Sequence, residues 1–192
     1  MSETRVHDPD LLDALEAMKP QPFDGVVWRV TWATRNPLVA GTGGGRWHPA
    51  NDFEALYTSG DEHGAMAEAY HHLSKAPVFS SSDVRIIKLH ARTERTLHFN
   101  DVGALETVGV DERAFRKGDY ARTREIGAAA RFLDMDGLIV PNARWPCTNL
   151  VLFLDRLPDL EMLKVLETSE VNWPAWREKI SPPRATKRVV DT

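Results

Sequence analysis

The chain predicts an α+β fold in one domain, on three observations. Segments rich in β-branched and aromatic residues recur from Val26 to Leu154. They run in the order strand, loop, strand, helix, then mostly strands with one more helix, rather than alternating strand by helix as a parallel α/β sheet does. The length of 192 residues, with 42% hydrophobic and 27% charged, suits one core with extensions. The expected layout is a helical extension over 1–22, a core over 23–158, helical segments over 159–180 and a flexible tail over 181–192.

The elements follow in order. Residues 8–19 read as a helix, with Leu11, Leu12, Leu15 and Met18 at helical spacing, Asp8 or Asp10 as cap, and Pro20 and Pro22 as stop. Val26–Trp32 reads as a strand. Residues 34–53 form a long loop punctuated by Gly, Pro and Asn, and loops of that length are functional or mobile. A short strand at Leu56–Thr58 leads to a helix over 61–74, with Ser59 and Glu62 spaced as a capping box.

Strands are expected at Val84–His90 and Thr96–Phe99, while residues 101–118 carry no clear pattern. A helix over 119–134 places Ile126, Ala129, Ala130 and Leu133 on one side. Gly137–Pro141 reads as a short buried strand, and Asn149–Leu154, the most hydrophobic, as a central one. Helical segments are expected near 159–167 and 172–179, before the basic, proline-rich stretch Ser181–Arg188.

Composition excludes several classes. No apolar run reaches the ~18 residues of a membrane span. The polar, acidic start Met1–Asp10 does not read as a signal peptide, and a cytoplasmic location is the simplest expectation. A single cysteine, Cys147, rules out an intramolecular disulfide and a cysteine-rich zinc site. His71 and His72 are adjacent on a helix with no HExxH pattern, so no metal is expected. A net charge of −4 argues against direct nucleic-acid binding by the whole chain.

The residues that can carry chemistry cluster early. Arg29 interrupts an apolar strand, on the same face as Val27. Such a guanidinium is half of a structural ion pair, marks a sheet edge, or is a phosphate clamp. The loop Gly41–Gly45, with Gly44 and Gly45 next to Arg46, can bring backbone N–H groups to an anion or can be a mobile turn. It is neither a P-loop nor a dinucleotide fingerprint, since no Lys-Ser/Thr and no helix follow it. Tyr57 can stack on a ring or fill the core. Glu68 lies on a helix beside Gly64 and Ala65, which leave room for a ligand, though a solvated glutamate is the plainer reading. Pro141-Asn-Ala-Arg144 either points polar groups into a cleft or makes a turn. Cys147 reads as structural. A glycine-rich loop, placed cations, an aromatic and one carboxylate together suit a ligand that is both phosphorylated and cationic, such as a dinucleotide with a charged nicotinamide ring.

Taken together these residues resemble the RES-domain family, toxins of RES–Xre toxin–antitoxin systems. The resemblance covers about residues 24–157 and rests on Trp28-Arg29, Gly44-Gly-Arg-Trp47, Leu56-Tyr57, Ala67-Glu68, Gly137–Arg144 and Asn149–Phe153. It implies a mixed sheet with flanking helices similar to ADP-ribosyltransferases, and activity on NAD as substrate, with water, phosphate or a protein as acceptor. It implies an Xre-type helix-turn-helix antitoxin as partner in a hetero-oligomer, with DNA met only through that partner. Arg29 and Glu68 match the family's arginine and glutamate, and Arg46 and Tyr57 its further site positions. The family's serine is replaced by Asn142, which still donates and accepts hydrogen bonds. Arg29 and Arg46 would then hold the pyrophosphate, Tyr57 would stack near the nicotinamide or ribose, Glu68 would stabilise the oxocarbenium-like ribose, and Asn142 would bond the substrate.

Overall fold

The computed structural model describes residues 5–75 and 83–180. The tail expected over 181–192 lies outside the described residues. Helix α1 (Pro9–Ala17) starts at Asp8, whose carboxylate accepts the Asp10 N–H. It buries Leu11 and Leu15. Strand β1 (Gln21–Trp32) begins earlier than its apolar run, so the boundary expected at residue 23 falls inside it. A long loop leads to β2 (Ala55–Ser59) and α2 (Glu62–Leu73).

The cap of α2 is Asp61, which accepts the Gly64 N–H, and not Ser59. Ser59 is still a strand residue, paired with Asn149, and its hydroxyl contacts Cys147. The two strands expected at 84–90 and 96–99 are one, β3 (Val84–His98). The polar stretch between them keeps the two-residue alternation: Ala91 and Thr93 are buried, while Arg92 and Glu94 face out and Arg92 meets Asp24 of β1. The patternless 101–118 stretch holds α3 (Val102–Glu106) and α4 (Glu112–Lys117), each capped by an aspartate, Asp101 and Asp111. They are too short for helical periodicity to show.

Helix α5 (Ala121–Phe132), β4 (Gly137–Pro141) and β5 (Thr148–Phe153) follow as expected. The helix expected near 159–167 is a single 3-10 turn, Leu160–Met162, and then strand β6 (Leu163–Glu170). The leucines at 160, 163 and 166 imitate a helical period. Pairing of β6 along β3, from Arg85↔Glu170 to Ala91↔Leu163, overrides it. Helix α6 (Trp173–Ile180) completes the described chain.

The sheet order is β1-β2-β5-β4-β3-β6, and β1 also pairs with β3. The first five strands therefore form a closed circuit, with β6 as a flap on β3. Val27, Leu56, Ile87, Leu89, Ile139, Leu150 and Leu152 form one buried cluster. A second cluster packs α1, α3, α4 and α5 with Trp47, Phe53 and Phe153. A third joins α2 and α6, through Ala65, Met66, Trp173 and Trp176, to Val84 and Ile86 of β3. The circuit is uneven: β1 and β3 pair from Gln21 to Trp32, but β1 and β2 share only Trp28↔Ser59.

Candidate active site

The strands part around that one bridge, and a cleft of about 440 Å³ opens there. Its walls come from β1 (Trp28, Arg29), β2 (Tyr57, Ser59), α2 (Glu68, His71) and the long loop (Gly44, Gly45, Arg46). Tyr120 and Arg124, at the start of α5, and Arg144, after β4, complete it. Arg29, Arg46, Tyr57, Glu68, Gly44 and Gly45, separate in sequence, thus face one cavity.

The long loop is pinned rather than mobile. Gly41 bridges to Ala55, and the Gly45 N–H donates to the His48 carbonyl at 2.9 Å. The Tyr57 hydroxyl accepts the Trp47 N–H at 2.9 Å and meets His48 Nδ1 at 2.9 Å. The hydroxyl thus ties together two points of the loop, the Trp47 backbone and the His48 ring. Gly44 adopts φ +79°, the left-handed region that glycine reaches without cost. A side chain on Gly45 would lie 2.5 Å from the Tyr57 hydroxyl. The N–H groups of Gly41 and Gly45 are taken by Ala55 and His48 carbonyls, so these two glycines shape the wall instead of cradling an anion.

Burial pushes the Tyr57 hydroxyl far above its ordinary value. It stays neutral and acts as a loop anchor. Tyr57→Phe is expected to leave the Trp47 N–H without an acceptor and to cost about 1–3 kcal/mol, read as a lower thermal midpoint. An unchanged midpoint would show that the hydroxyl does not hold the loop.

Each arginine of the cleft is held by something other than a carboxylate. Arg29 Nη1 donates to Pro37 O at 2.8 Å, and its buried Nε has no partner. Burial, and then Arg35, lower its pKa to about 10, which leaves it charged at neutral pH. Arg35 donates to Ala40 O and Arg124 to Gly45 O, both at 2.8 Å. Arg46 donates to Phe115 O at 2.9 Å and lies over the rings of Phe115 and Tyr120, at 4.3 and 4.7 Å. Burial lowers the Arg46 pKa, while Tyr120 and Glu68 oppose the shift. Arg144 Nη2 meets His71 Nε2 at 2.9 Å. Glu68 is the one carboxylate of the lining. Among the described residues it makes no hydrogen bond or ion pair.

Asn142 is not part of the lining. Its Nδ2 donates to Asn149 Oδ1 at 2.8 Å and reaches Ser59 Oγ at 3.4 Å. Its Oδ1 accepts the N–H groups of Arg144 and Trp145 at 2.7 and 3.0 Å. Two donors and two acceptances fill an amide's capacity, so Asn142 fixes the turn and leaves the direct substrate contact expected of it to others. Burial raises the Cys147 thiol, which sits 3.3 Å from Ser59 Oγ. Among the described residues no group of three or more His, Cys, Asp or Glu side chains is placed to hold a metal ion.

Sequence reading did not reach Arg35, Tyr120 and Arg124. None stands in a motif, and the one hint is that Tyr120 and Arg124 are four apart at a helix start.

This fold and cleft define the class. The RES domain profile matches residues 26–177, and the chain belongs to the RES domain family. Among its relatives, "Probable NAD(+) phosphorylase Rv3189" of Mycobacterium tuberculosis (strain ATCC 25618 / H37Rv) is 31% identical over 179 residues, covering 91% of this chain and 81% of that protein. The NAD(+) phosphorylase MbcT of Mycobacterium bovis (strain ATCC BAA-935 / AF2122/97) is 27% identical over 148 residues, covering 71% of this chain and 77% of that protein. A chain in the crystal structure of the M. tuberculosis MbcT–MbcA toxin–antitoxin complex shares the fold, with a TM-score of 0.79 at 22% identity, over 89% of this chain and 97% of that one.

Proposed function

We propose that this protein is a toxin that consumes NAD by cleaving the bond between nicotinamide and ribose, and that inorganic phosphate is the acceptor. One observation carries the reading: a lone carboxylate, Glu68, stands in a cleft whose five guanidiniums lack carboxylate partners among the described residues. That charge pattern is complementary to a pyrophosphate attached to a ribose that becomes cationic as it reacts. Family membership and the relatives' names agree with it.

The chemistry needs no more than this. The nicotinamide of NAD departs as a neutral molecule, taking the bonding electrons onto a nitrogen that was already positive. No general acid is required, whereas glycosidases use a carboxylate pair because their leaving group must be protonated. Glu68 stabilises the positive charge on the ribose. Arg29 and Arg46 hold the pyrophosphate, Arg29 with the guanidinium N–H groups not given to Pro37 and Arg46 edge-on because its faces are against Phe115 and Tyr120. Tyr57, Gly44 and Gly45 keep the wall in place.

The partner in this reading is an Xre-type helix-turn-helix antitoxin that covers the cleft and makes the DNA contact itself. The described residues include no helix long and apolar enough to cross a membrane, and the NAD pool of the cytoplasm is the proposed place of action.

The test is incubation of the purified chain with NAD, with and without phosphate, followed by chromatography. Nicotinamide and a phosphorylated ADP-ribose are expected with phosphate. Persistence of NAD would overturn the reading, and a labelled protein band with radioactive NAD and a lysate would replace phosphate by a protein acceptor. Arg29→Met is expected to raise the KM for NAD at least tenfold, since a charged hydrogen bond to phosphate contributes about 1.5–3 kcal/mol. An unchanged KM would remove Arg29 from the pyrophosphate site.

A further inference from the structure

We propose that Arg144, held by His71, forms a separate subsite that binds the attacking phosphate. This rests on the NAD-consuming reading above and assigns its acceptor to named residues. Charge is the first argument. The pyrophosphate of a bound dinucleotide matches two of the five guanidiniums of the cleft, and a surplus of positive charge remains for a second anion.

Position is the second argument. Arg29 and Arg35 are held by carbonyls of residues 37–40, Arg46 by Phe115 and Arg124 by Gly45. Arg144 alone is tied to α2, through His71, three residues after Glu68 and on the same helix face. An acceptor has to attack the carbon whose charge Glu68 stabilises, so its binding group belongs within a helical turn of Glu68.

Bonding is the third argument. Arg144 gives one N–H to the His71 ring, and its side chain makes no other hydrogen bond among the described residues. A guanidinium has five N–H groups, and its fork matches two phosphate oxygens. His71 accepts this bond as a neutral imidazole. Burial, and then Arg144, Lys75, His72 and Arg46, disfavour its protonation. A carboxylate at position 71 would hold Arg144 equally well but cancel its charge. The Asn142 turn fixes the backbone of Arg144 through the bond to its N–H, which makes Asn142 a positioning residue for the same subsite.

In the step, a phosphate oxygen donates a lone pair to the anomeric carbon of the nicotinamide-bearing ribose. The carbon–nitrogen bond breaks, and its electron pair neutralises the pyridinium. Hydrogen phosphate keeps its proton, and nothing is oxidised or reduced.

The experiment uses the full chain and varies inorganic phosphate at saturating NAD, separating ADP-ribose from phosphorylated ADP-ribose. Arg144→Gln is expected to raise the KM for phosphate at least tenfold, with the KM for NAD changed less than threefold and the product ratio moved toward ADP-ribose. Arg144→Lys, which keeps the charge without the fork, is expected to fall between. His71→Leu, which frees Arg144, is expected to raise the KM for phosphate about threefold or more. An unchanged KM for phosphate in Arg144→Gln overturns the subsite. A parallel rise in both KM values overturns it too, by making Arg144 an NAD-binding group. If the unaltered chain forms only ADP-ribose at every phosphate concentration, phosphate is not the acceptor, and the subsite falls with that reading. Circular dichroism of each variant separates these outcomes from misfolding.

Discussion

Glu68→Gln is expected to lower the turnover of NAD about a hundredfold to a thousandfold while leaving the fold intact. The size follows from what the carboxylate does. It faces a ribose that is neutral in the ground state and positive in the transition state, so its charge acts mainly on the barrier, and groups of this kind are worth about 10²–10³ in rate. The KM for NAD should move less than the turnover. Glu68 makes no hydrogen bond or ion pair among the described residues, so the thermal midpoint should shift by no more than about 1 kcal/mol allows. Glu62 begins the same helix, is exposed and does not line the cleft, and Glu62→Gln serves as the control. Measuring nicotinamide release by the two variants decides the matter: equal rates would remove Glu68 from the chemistry.

Gly127→Ala is expected to be the most damaging small change outside the chemistry. A Cβ on Gly127 would lie 1.7 Å from the Trp47 carbonyl oxygen and 2.8 Å from its carbon. The obstacle is backbone, on a residue that is itself 2% exposed, and it cannot swing aside as a side-chain tip can. Either α5 or the loop has to move. Overpacking of this kind costs about 1–3 kcal/mol or more, against about 1 kcal/mol gained from the higher helix propensity of alanine. A net loss of about 2 kcal/mol corresponds to a midpoint lower by roughly 4–8 °C for a chain of this size. The KM for NAD should rise as well, because Arg124 of α5 holds Gly45 and Tyr120 backs Arg46. A midpoint that rises would mean that the helix gain dominates and that the contact is looser than its geometry.

These contacts show where the sequence was readable. Arg29 and Val27 share a face as strand alternation requires, and Glu68 lies on a helix with small neighbours, so local periodicity placed both. Glycine spacing drew attention to the 41–45 loop, but periodicity says nothing about which N–H groups a turn uses for itself. Asn142 stands out by its place in the Pro141–Arg144 motif, and its saturation with four partners depends on Asn149 and Ser59 reaching it in space. Tyr120 and Arg124 enter the cleft because α5 docks on the loop through Gly127, a long-range contact with no local signature. The same holds for β6. Its leucine spacing suits a helix, and only pairing with a distant strand makes it extended.

The single bridge between Trp28 and Ser59 gives the domain a seam. Every other junction in the ring of five strands joins three or more residue pairs, so backbone pairing is thinnest at this one. Parting there interrupts the bonds of one residue pair, each worth about 0.5–1.5 kcal/mol net, and leaves the long ladders whole. Helix α2, which carries Glu68, packs on Trp28 and Val30 of β1 and so bridges the seam from the side. Where backbone pairing is thinnest, the packing of α2 on β1 takes over the work of the missing ladder and holds the cleft in shape.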